Sequence, residues 1–408
     1  MKKNNCRMCK SNNMPKFLDL GFSALSDNFL TVEQLEQPEI FYPLTVHSCL
    51  DCGLCQLGYV VPPELMFNEN YPYDSSTTKT GREHFTKMGV DICDRFNLKP
   101  NSFVIDVGSN AGVLLAGFKS KGMRVLGIEP SSKLANAAIK NGIDSIIEFF
   151  SKKLVKKILD DYGKVSVITG TNVFAHIDDL DDFMITADSL LVEDGIIVIE
   201  APYLLRLIEN LEYDTIYHEH LSYLSVKPMI EFCKKFNFEV FDTEEQAIHG
   251  GTLRYFIGRK DKRKVSQNVS NYLKIEKEQE IYLERKLQDF ARSVKDHRRT
   301  LLQLLHELKT NGKKIVAISA PAKGNTLLNY CKIDSEILDY VTERNPLKVG
   351  KFTPGMHIPV YSDEKLEDQP DYALILAWNF ADEIIQNNSK YREKGGKFII
   401  PIPKPVIV

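Results

Sequence analysis

Ten consecutive residues, Asp214 to Tyr223, hold two imidazoles, two carboxylates and two phenols: Asp214, Tyr217, His218, Glu219, His220 and Tyr223. Imidazole is the side chain best suited to proton transfer near neutral pH. The segment is therefore a candidate general-base centre. Two other readings of the same residues stand beside it. One is a surface loop with clustered polar groups; the other is a metal site using His218 and His220, for which H-x-H offers no third ligand nearby in sequence. His249, at a Gly-Gly turn ahead of an expected strand over Leu253–Ile257, is either a wall of the same pocket or a structural histidine.

Cysteine supplies the second chemistry. Five of the eight cysteines fall in the first 55 residues, whereas Cys93, Cys233 and Cys331 are isolated and suit ordinary buried thiols. Cys6-x-x-Cys9 and Cys49-x-x-Cys52 would each form a knuckle presenting two thiolates to one ion. Four such sulfurs make a closed tetrahedral zinc site, structural because no coordination position is left for water or substrate. The gap from Cys9 to Cys49 exceeds that of a compact zinc ribbon, so intervening strands must bring the knuckles together. Cys55 extends the second pair and competes as a ligand, and redox-active thiols are the remaining alternative.

Two glycine-containing loops follow apolar strand patterns. Phe103–Val107 runs into Asp106, Gly108, Ser109, Asn110 and Gly112, where glycines permit close backbone approach and a helix N-terminus offers free N–H groups. One strand later Glu129, followed by Pro130, closes the strand expected at Arg124–Ile128. A carboxylate there accepts the hydroxyl protons of a ribose. The loop alone is compatible with an ordinary strand–helix turn. Its G-x-x-x-G spacing makes a poor pyrophosphate cradle, so adenosine without phosphates fits better, pointing to S-adenosylmethionine. Asn172 and His176, beyond a third strand end at Val165–Thr169, reach the same edge. The second loop follows Lys314–Ser319 and carries Lys323, Gly324, Asn325 and Thr326 into a helix. With Asn345, Lys351, His357, Trp378 and Asn379 from later loops it reads as a seat for nucleotide phosphate and base, although Trp378 alone reads equally as a core aromatic.

These groups need a scaffold, and the pattern supplies one. The chain has 408 residues, long enough for two or three domains, and 52 Lys+Arg against 55 Asp+Glu, which leaves no basic excess to suggest nucleic acid. No apolar run reaches the ~18–20 residues that span a bilayer, and the start MKKNNCRMCK lacks an apolar signal core. A cytoplasmic protein with no membrane partner is the expectation. Residues 1–67 are turn-rich and read as a metal-stapled module. Strands and helices then alternate, which predicts a doubly wound α/β sheet over 68–262. Helices are expected at Gly81–Phe96, Leu114–Lys121, Lys133–Asn141 and Phe183–Leu191, and a further strand at Gly195–Ala201. A charged stretch from Val269 to Leu308 with leucines at helical spacing predicts a long helix or helix pair. Strands at Lys314–Ser319, Leu338–Thr342, Tyr372–Ala377 and Phe398–Ile402 complete a smaller α/β domain over 263–408.

The motifs VGSNAGVLL, GIEPS, TNVFAHIDDL, YHEHLSY, HGGTLRYF, APAKGNTLLNY, RNPLKVGKFTPGMHIPV, LAWNFADEI and GGKFIIPIP, with Cys6, Cys9, Cys49 and Cys52, are similar to those of a known family along nearly the whole chain. The sequence resembles the S-adenosylmethionine-dependent C-methyltransferases that act on nucleotide-linked 4-keto deoxysugars, typified by sugar C-3 methyltransferases. The resemblance implies an N-terminal zinc-binding domain, a central Rossmann-like cofactor domain and a C-terminal Rossmann-like domain that helps hold a nucleotide-diphosphate sugar. It implies His220 as the base removing the C-3 proton beside the ketone, with Tyr217 and Glu219 next to it. A tyrosine from the Tyr71/Tyr73 stretch is expected at the site, and His218 and His249 with the sugar. Two positions depart from the family pattern: Ala111 stands where an acidic residue is usual, which puts one cofactor contact in doubt, and Cys55 where an apolar residue is common. Methyl transfer to oxygen or nitrogen, or a catalytically silent sugar-binding protein, are the rival functions; washout of deuterium from the sugar carbon and saturable cofactor binding separate them.

Overall fold

The computed structural model describes residues 1–67, 72, 75–248 and 250–408, so Tyr71, Tyr73 and His249 lie outside the described residues. Three strands of the N-terminal module, β1 (Lys16–Ser23), β2 (Tyr42–Ser48) and β3 (Cys55–Leu57), pair antiparallel. Along β2 the side chains alternate, with Leu44, Val46 and Ser48 turned inward, as a half-buried strand requires. The sheet is completed from far along the chain: Cys55 pairs with Tyr223 and Gln56 with Ser222. Arg7, wholly buried, stitches the join. Its Nε donates to Asp178 at 3.0 Å and its Nη1 to the carbonyls of Leu57 and Leu221, each at 3.1 Å.

The central sheet contains β4 (Phe103–Val107), β5 (Arg124–Ile128), β6 (Ser145–Ile146), β7 (Val165–Thr171) and β8 (Leu191–Pro202), all parallel. After β9 (Ser222–Tyr223) departs to the N-terminal sheet, β10 (Phe238–Gln246) and β11 (Thr252–Arg259) add antiparallel, giving the order β10-β11-β8-β7-β4-β5-β6. Every side chain of β4 is buried, which is why it reads as a continuous apolar run rather than an alternating one. The chain leaves β4 first toward β5 and β6, then returns to β7 and β8. The carboxyl ends of β4 and β7 therefore flank the switch point where open α/β sheets bind ligands.

The charged stretch after residue 264 forms two helices, Gln267–Glu278 and Glu284–Thr310, broken where Glu280 takes a positive φ of 56°. The second helix buries Leu287, Phe290, Val294, Leu301 and Leu305, packing along β1 as well as its own domain. Beyond it β12 (Ile315–Ile318), β13 (Val341–Glu343), β14 (Val360–Ser362), β15 (Tyr372–Ile375) and β16 (Lys397–Ile400) form a parallel sheet, closed at one edge by antiparallel β17 (Val406–Ile407). Among the described residues no helix is long and apolar enough to cross a membrane.

Candidate active site and metal centre

The loop after β4 turns sharply at Gly108, whose φ is +65° and where a Cβ would stand 2.6 Å from the Val173 side chain. Gly112, at φ +80°, precedes the helix Val113–Ser120. No larger residue fits the first turn, and of residues 108–112 Gly108 and Asn110 stay partly exposed while the other three are buried. Across it Glu129 accepts the N–H of Asn110 at 2.9 Å and that of Ser131 at 2.8 Å. The carboxylate is buried, which raises its pKa, and those two amides pull it back down. Asp106 is buried beneath the loop and accepts the Thr169 hydroxyl at 2.6 Å; burial pushes its carboxyl up to about 7. It therefore braces the switch point from below. Ser109 Oγ and Asn172 Oδ1 are buried without partners among the described residues, and Pro130 is half-buried beside Glu129. Asn110 Oδ1 accepts the N–H of Ser75 at 3.0 Å, its hydroxyl at 3.1 Å and the N–H of Ala111 at 2.9 Å. The strap ahead of the helix Lys79–Arg95 is thus tied to the glycine loop, a tie that local sequence pattern does not reveal.

Beyond β7 four rings stand in a row. Phe67 stacks on His176 with centroids 5.7 Å apart, His176 on His220 at 5.1 Å, and Tyr217 lies 4.1 Å from His220. His220 is 9% exposed, and its Nδ1 is 2.8 Å from the carbonyl oxygen of Thr215. A carbonyl only accepts, so Nδ1 carries a ring hydrogen, and whenever the ring is neutral its lone pair lies on Nε2. His176 is held well below the usual histidine pKa by burial and by His220, and its Nε2 is buried without a partner among the described residues. It meets His220 here as well as the carboxyl edge of the central sheet. Glu219 is buried in the same turn. His218 faces the N-terminal sheet: its ring is 1% exposed and meets Tyr42 of β2 edge-on at 5.8 Å, because β9 draws this segment against that sheet. Burial drops its pKa to about 4, and both of its ring nitrogens are buried without a hydrogen-bond partner among the described residues.

In the C-terminal domain several of the expected ligand groups make contacts to earlier segments of the chain. Asn325 donates to the Ser26 carbonyl at 2.6 Å, and Thr326 Oγ1 is 3.4 Å from Ser26 Oγ. Asn345 donates to the Pro72 carbonyl at 2.8 Å, and His357 pairs with Glu39 at 2.8 Å. These four hold the N-terminal segment against the C-terminal loops. Gly324 is required because a Cβ would come within 2.7 Å of Leu376. Trp378 makes a contact between domains: its Nε1 donates to Asp214 at 2.7 Å, and Lys323 Nζ stands 4.4 Å from the indole centroid. Burial lowers the Lys323 pKa, opposed by Asp214 and Glu212. Lys351 is half-buried, and Asn379 Oδ1 is buried without a partner among the described residues.

The four sulfurs of Cys6, Cys9, Cys49 and Cys52 lie within 4.8 Å of one another, with Cys6–Cys52 at 3.6 Å and Cys9–Cys49 at 3.4 Å. A tetrahedron with Zn–S of about 2.3 Å has S···S edges of roughly 3.8 Å, so this donor set fits zinc. Cys55 stands outside it, a wholly buried thiol beside Ser48 that burial pushes up to about 12.

Three family models cover most of the chain. One named for zinc binding matches residues 6–67, a methyltransferase domain matches 83–243, and a C-methyltransferase C-terminal domain matches 247–403. The C-methyltransferase NovU of Streptomyces niveus is 33% identical over 406 residues, 99% of this chain and 96% of that protein. Among solved structures, magnesium protoporphyrin IX methyltransferase from Synechocystis PCC 6803, with bound SAH, is 13% identical. It covers 46% of this chain and 90% of that one at a TM-score of 0.36. An S-adenosylmethionine-dependent methyltransferase from Clostridium acetobutylicum ATCC 824 is also 13% identical, over 44% of this chain and 92% of that one, at 0.35.

Proposed function

The chain belongs to the C-methyltransferase family, and from that premise we propose that it moves the methyl group of S-adenosylmethionine to C-3 of a nucleotide-linked 4-keto-6-deoxysugar. The observation that carries the reading is the bond from His220 Nδ1 to Thr215 O, which leaves Nε2 as a base at the ligand-binding edge of the central sheet. A ketone acidifies the hydrogen on the neighbouring carbon, and an imidazole is matched to removing it near neutral pH. His220 takes that proton on Nε2. Tyr217, its ring tilted beside that of His220, donates a hydrogen bond to the developing enolate oxygen, and Glu219 orients a sugar hydroxyl. Tyr71 or Tyr73 and His249 are further candidates for this pocket.

S-adenosylmethionine supplies an electrophilic methyl carbon for the enolate carbon to attack. Glu129 accepts the ribose hydroxyls, and the partly exposed backbone at Gly108 and Asn110 receives the rest of the nucleoside. Ala111 removes a side-chain contact but leaves this backbone surface. On the other side, Lys323 and Lys351 offer positive charge for a diphosphate. Cys6, Cys9, Cys49 and Cys52 hold a structural zinc that keeps the module, and so β9 and the Tyr217–His220 turn, in register.

The test is a mass-spectrometric screen of nucleotide-linked 4-keto sugars with S-adenosylmethionine. Gain of one methylene, with enzyme-dependent loss of deuterium from C-3, is the expected result. A methylated product that keeps its deuterium would mean transfer to a heteroatom.

A further inference from the structure

Between the N-terminal module and the C-terminal domain lies a cleft of about 560 Å³ that methyl transfer does not use. One wall is the outer end of β1, from Asp19 to Phe22. The facing wall is the helix Glu284–Thr310, where Lys295, Arg298 and Arg299 are three and four residues apart and so share one face. Tyr330 and Lys332, at the end of the helix Ala322–Cys331, complete the lining. Four cations thus stand against one carboxylate, in a chain whose net charge is −3. That carboxylate is already engaged: Asp19 pairs with Lys16 at 2.6 Å and accepts the Gly21 N–H at 2.9 Å.

Elsewhere on the long helix, arginine charge is neutralised locally. Of its four arginines, Arg285, Arg292 and Arg299 each pair with a carboxylate, that of Glu280, Asp289 and Asp296. Arg298 instead lies over the Tyr330 ring, its guanidinium carbon 5.1 Å from the centroid. A guanidinium carries five N–H donors at its edge, so a seat on a ring face restrains the charge and leaves those donors for an anion. Lys295 and Lys332, like Arg298, form no ion pair among the described residues. The wall opposite adds an aromatic. The register of β1 slips between Asp19 and Phe22, with Gly21 at φ +80°, and Phe22 stands 63% exposed in the lining.

We propose that this cleft is a second ligand site, which takes the polyphosphate of a nucleoside triphosphate on Lys295, Arg298 and Lys332 and its base against Phe22. The volume is that of a small-molecule site. Unpaired cations call for several anionic oxygens, and an exposed ring beside them for a flat base to stack on it. The site is distinct from the one assigned to the substrate diphosphate. Lys323 lies nine residues before Lys332, about 13 Å along the same helix at 1.5 Å per residue. Behind Tyr330 stands the wholly buried Tyr213, centroids 5.4 Å apart, so packed side chains separate the cleft from the turn that carries His220.

Calorimetric titration of the full-length protein with ATP and with inorganic triphosphate tests this, with S-adenosylhomocysteine in excess to fill the cofactor site. Saturable binding of ATP is expected, and weaker binding of triphosphate. Arg298→Gln and Lys332→Gln should each weaken both probes about 10-fold or more, as loss of a hydrogen bond between charged groups does. Lys332 is exposed, so its variant serves if the loss of Arg298 disturbs Tyr330. Phe22→Ala should weaken ATP about 10-fold and leave triphosphate unchanged. Lys323→Ala should leave both probes bound as before. No saturable binding of ATP overturns the proposal, and so does binding that Lys323→Ala removes while Lys332→Gln does not. Equal affinity for the two probes, untouched by Phe22→Ala, would overturn the nucleotide as ligand and leave a bare polyphosphate. None of these readouts depends on methyl transfer.

Discussion

The Glu129 carboxylate accepts the Asn110 N–H at 2.9 Å, joining the end of β5 to the glycine loop of β4 across the switch point. With its second oxygen on the Ser131 N–H, the side chain is fixed before any ligand arrives. A preorganised acceptor loses little freedom on binding. Glu129→Ala should therefore weaken S-adenosylmethionine binding by about 10- to 150-fold, the worth of roughly 1.5–3 kcal/mol for hydrogen bonds to a charged group. Titration calorimetry reads this directly, and an unchanged Kd would take the ribose contact away from Glu129.

His220→Asn preserves a polar side chain of similar bulk in the ring row between His176 and Tyr217 but removes the basic nitrogen. General-base catalysis contributes typically 10²–10⁴-fold. Turnover should drop by that order while S-adenosylmethionine and the nucleotide bind as before. Equal loss of binding and turnover would instead mark His220 as a structural residue.

The cysteine geometry makes a discriminating pair of variants. Cys49→Ser should lose the single zinc expected per chain, because one of four close sulfurs is gone. Cys55→Ser should retain it, since that thiol bonds toward Ser48 outside the group. Metal content by plasma mass spectrometry decides between them. Zinc loss should also lower the thermal midpoint and turnover together, because β3 pairs directly with β9 next to the Tyr217–His220 turn.

How far these features are legible in the sequence depends on how local their causes are. The strands at Phe103–Val107 and Arg124–Ile128 match the expected bounds, since short apolar runs end at residues the loops require. The paired cysteines likewise declare themselves by spacing. Strand β10 is not legible, because its second half, Thr243–Gln246, carries charged residues that are partly exposed. Nor is β9, whose two residues pair with β3 more than 160 positions away. Asn325, Asn345 and His357 look like ligand groups because a polar side chain at a loop has the same local signature whether it meets a nucleotide or Ser26, Pro72 and Glu39. The Trp378–Asp214 bond joins two domains and has no local signature at all.

Asp106 gives stability a pH signature with a definite sign. Burial, with the Glu129 charge adding to it and the Thr169 hydroxyl opposing it, pushes its carboxyl up to about 7 in the folded protein. In the unfolded chain the ordinary value near 3.9 returns. Between about pH 4 and about pH 7 the folded state therefore binds a proton that the unfolded state does not, so this group's contribution to stability falls as pH rises. Three units correspond to ~4 kcal/mol at most. Asp106→Asn keeps an oxygen for the Thr169 hydroxyl at the same place but cannot ionise. The native protein should lose thermal midpoint relative to this variant as pH is raised through that window, and the difference should level off above it. Midpoints measured in parallel are the right observable, since three domains need not unfold in one step. A difference that stays constant across the window would show that Asp106 is ionised throughout, and that Thr169 and its surroundings solvate a buried charge beneath the glycine loop.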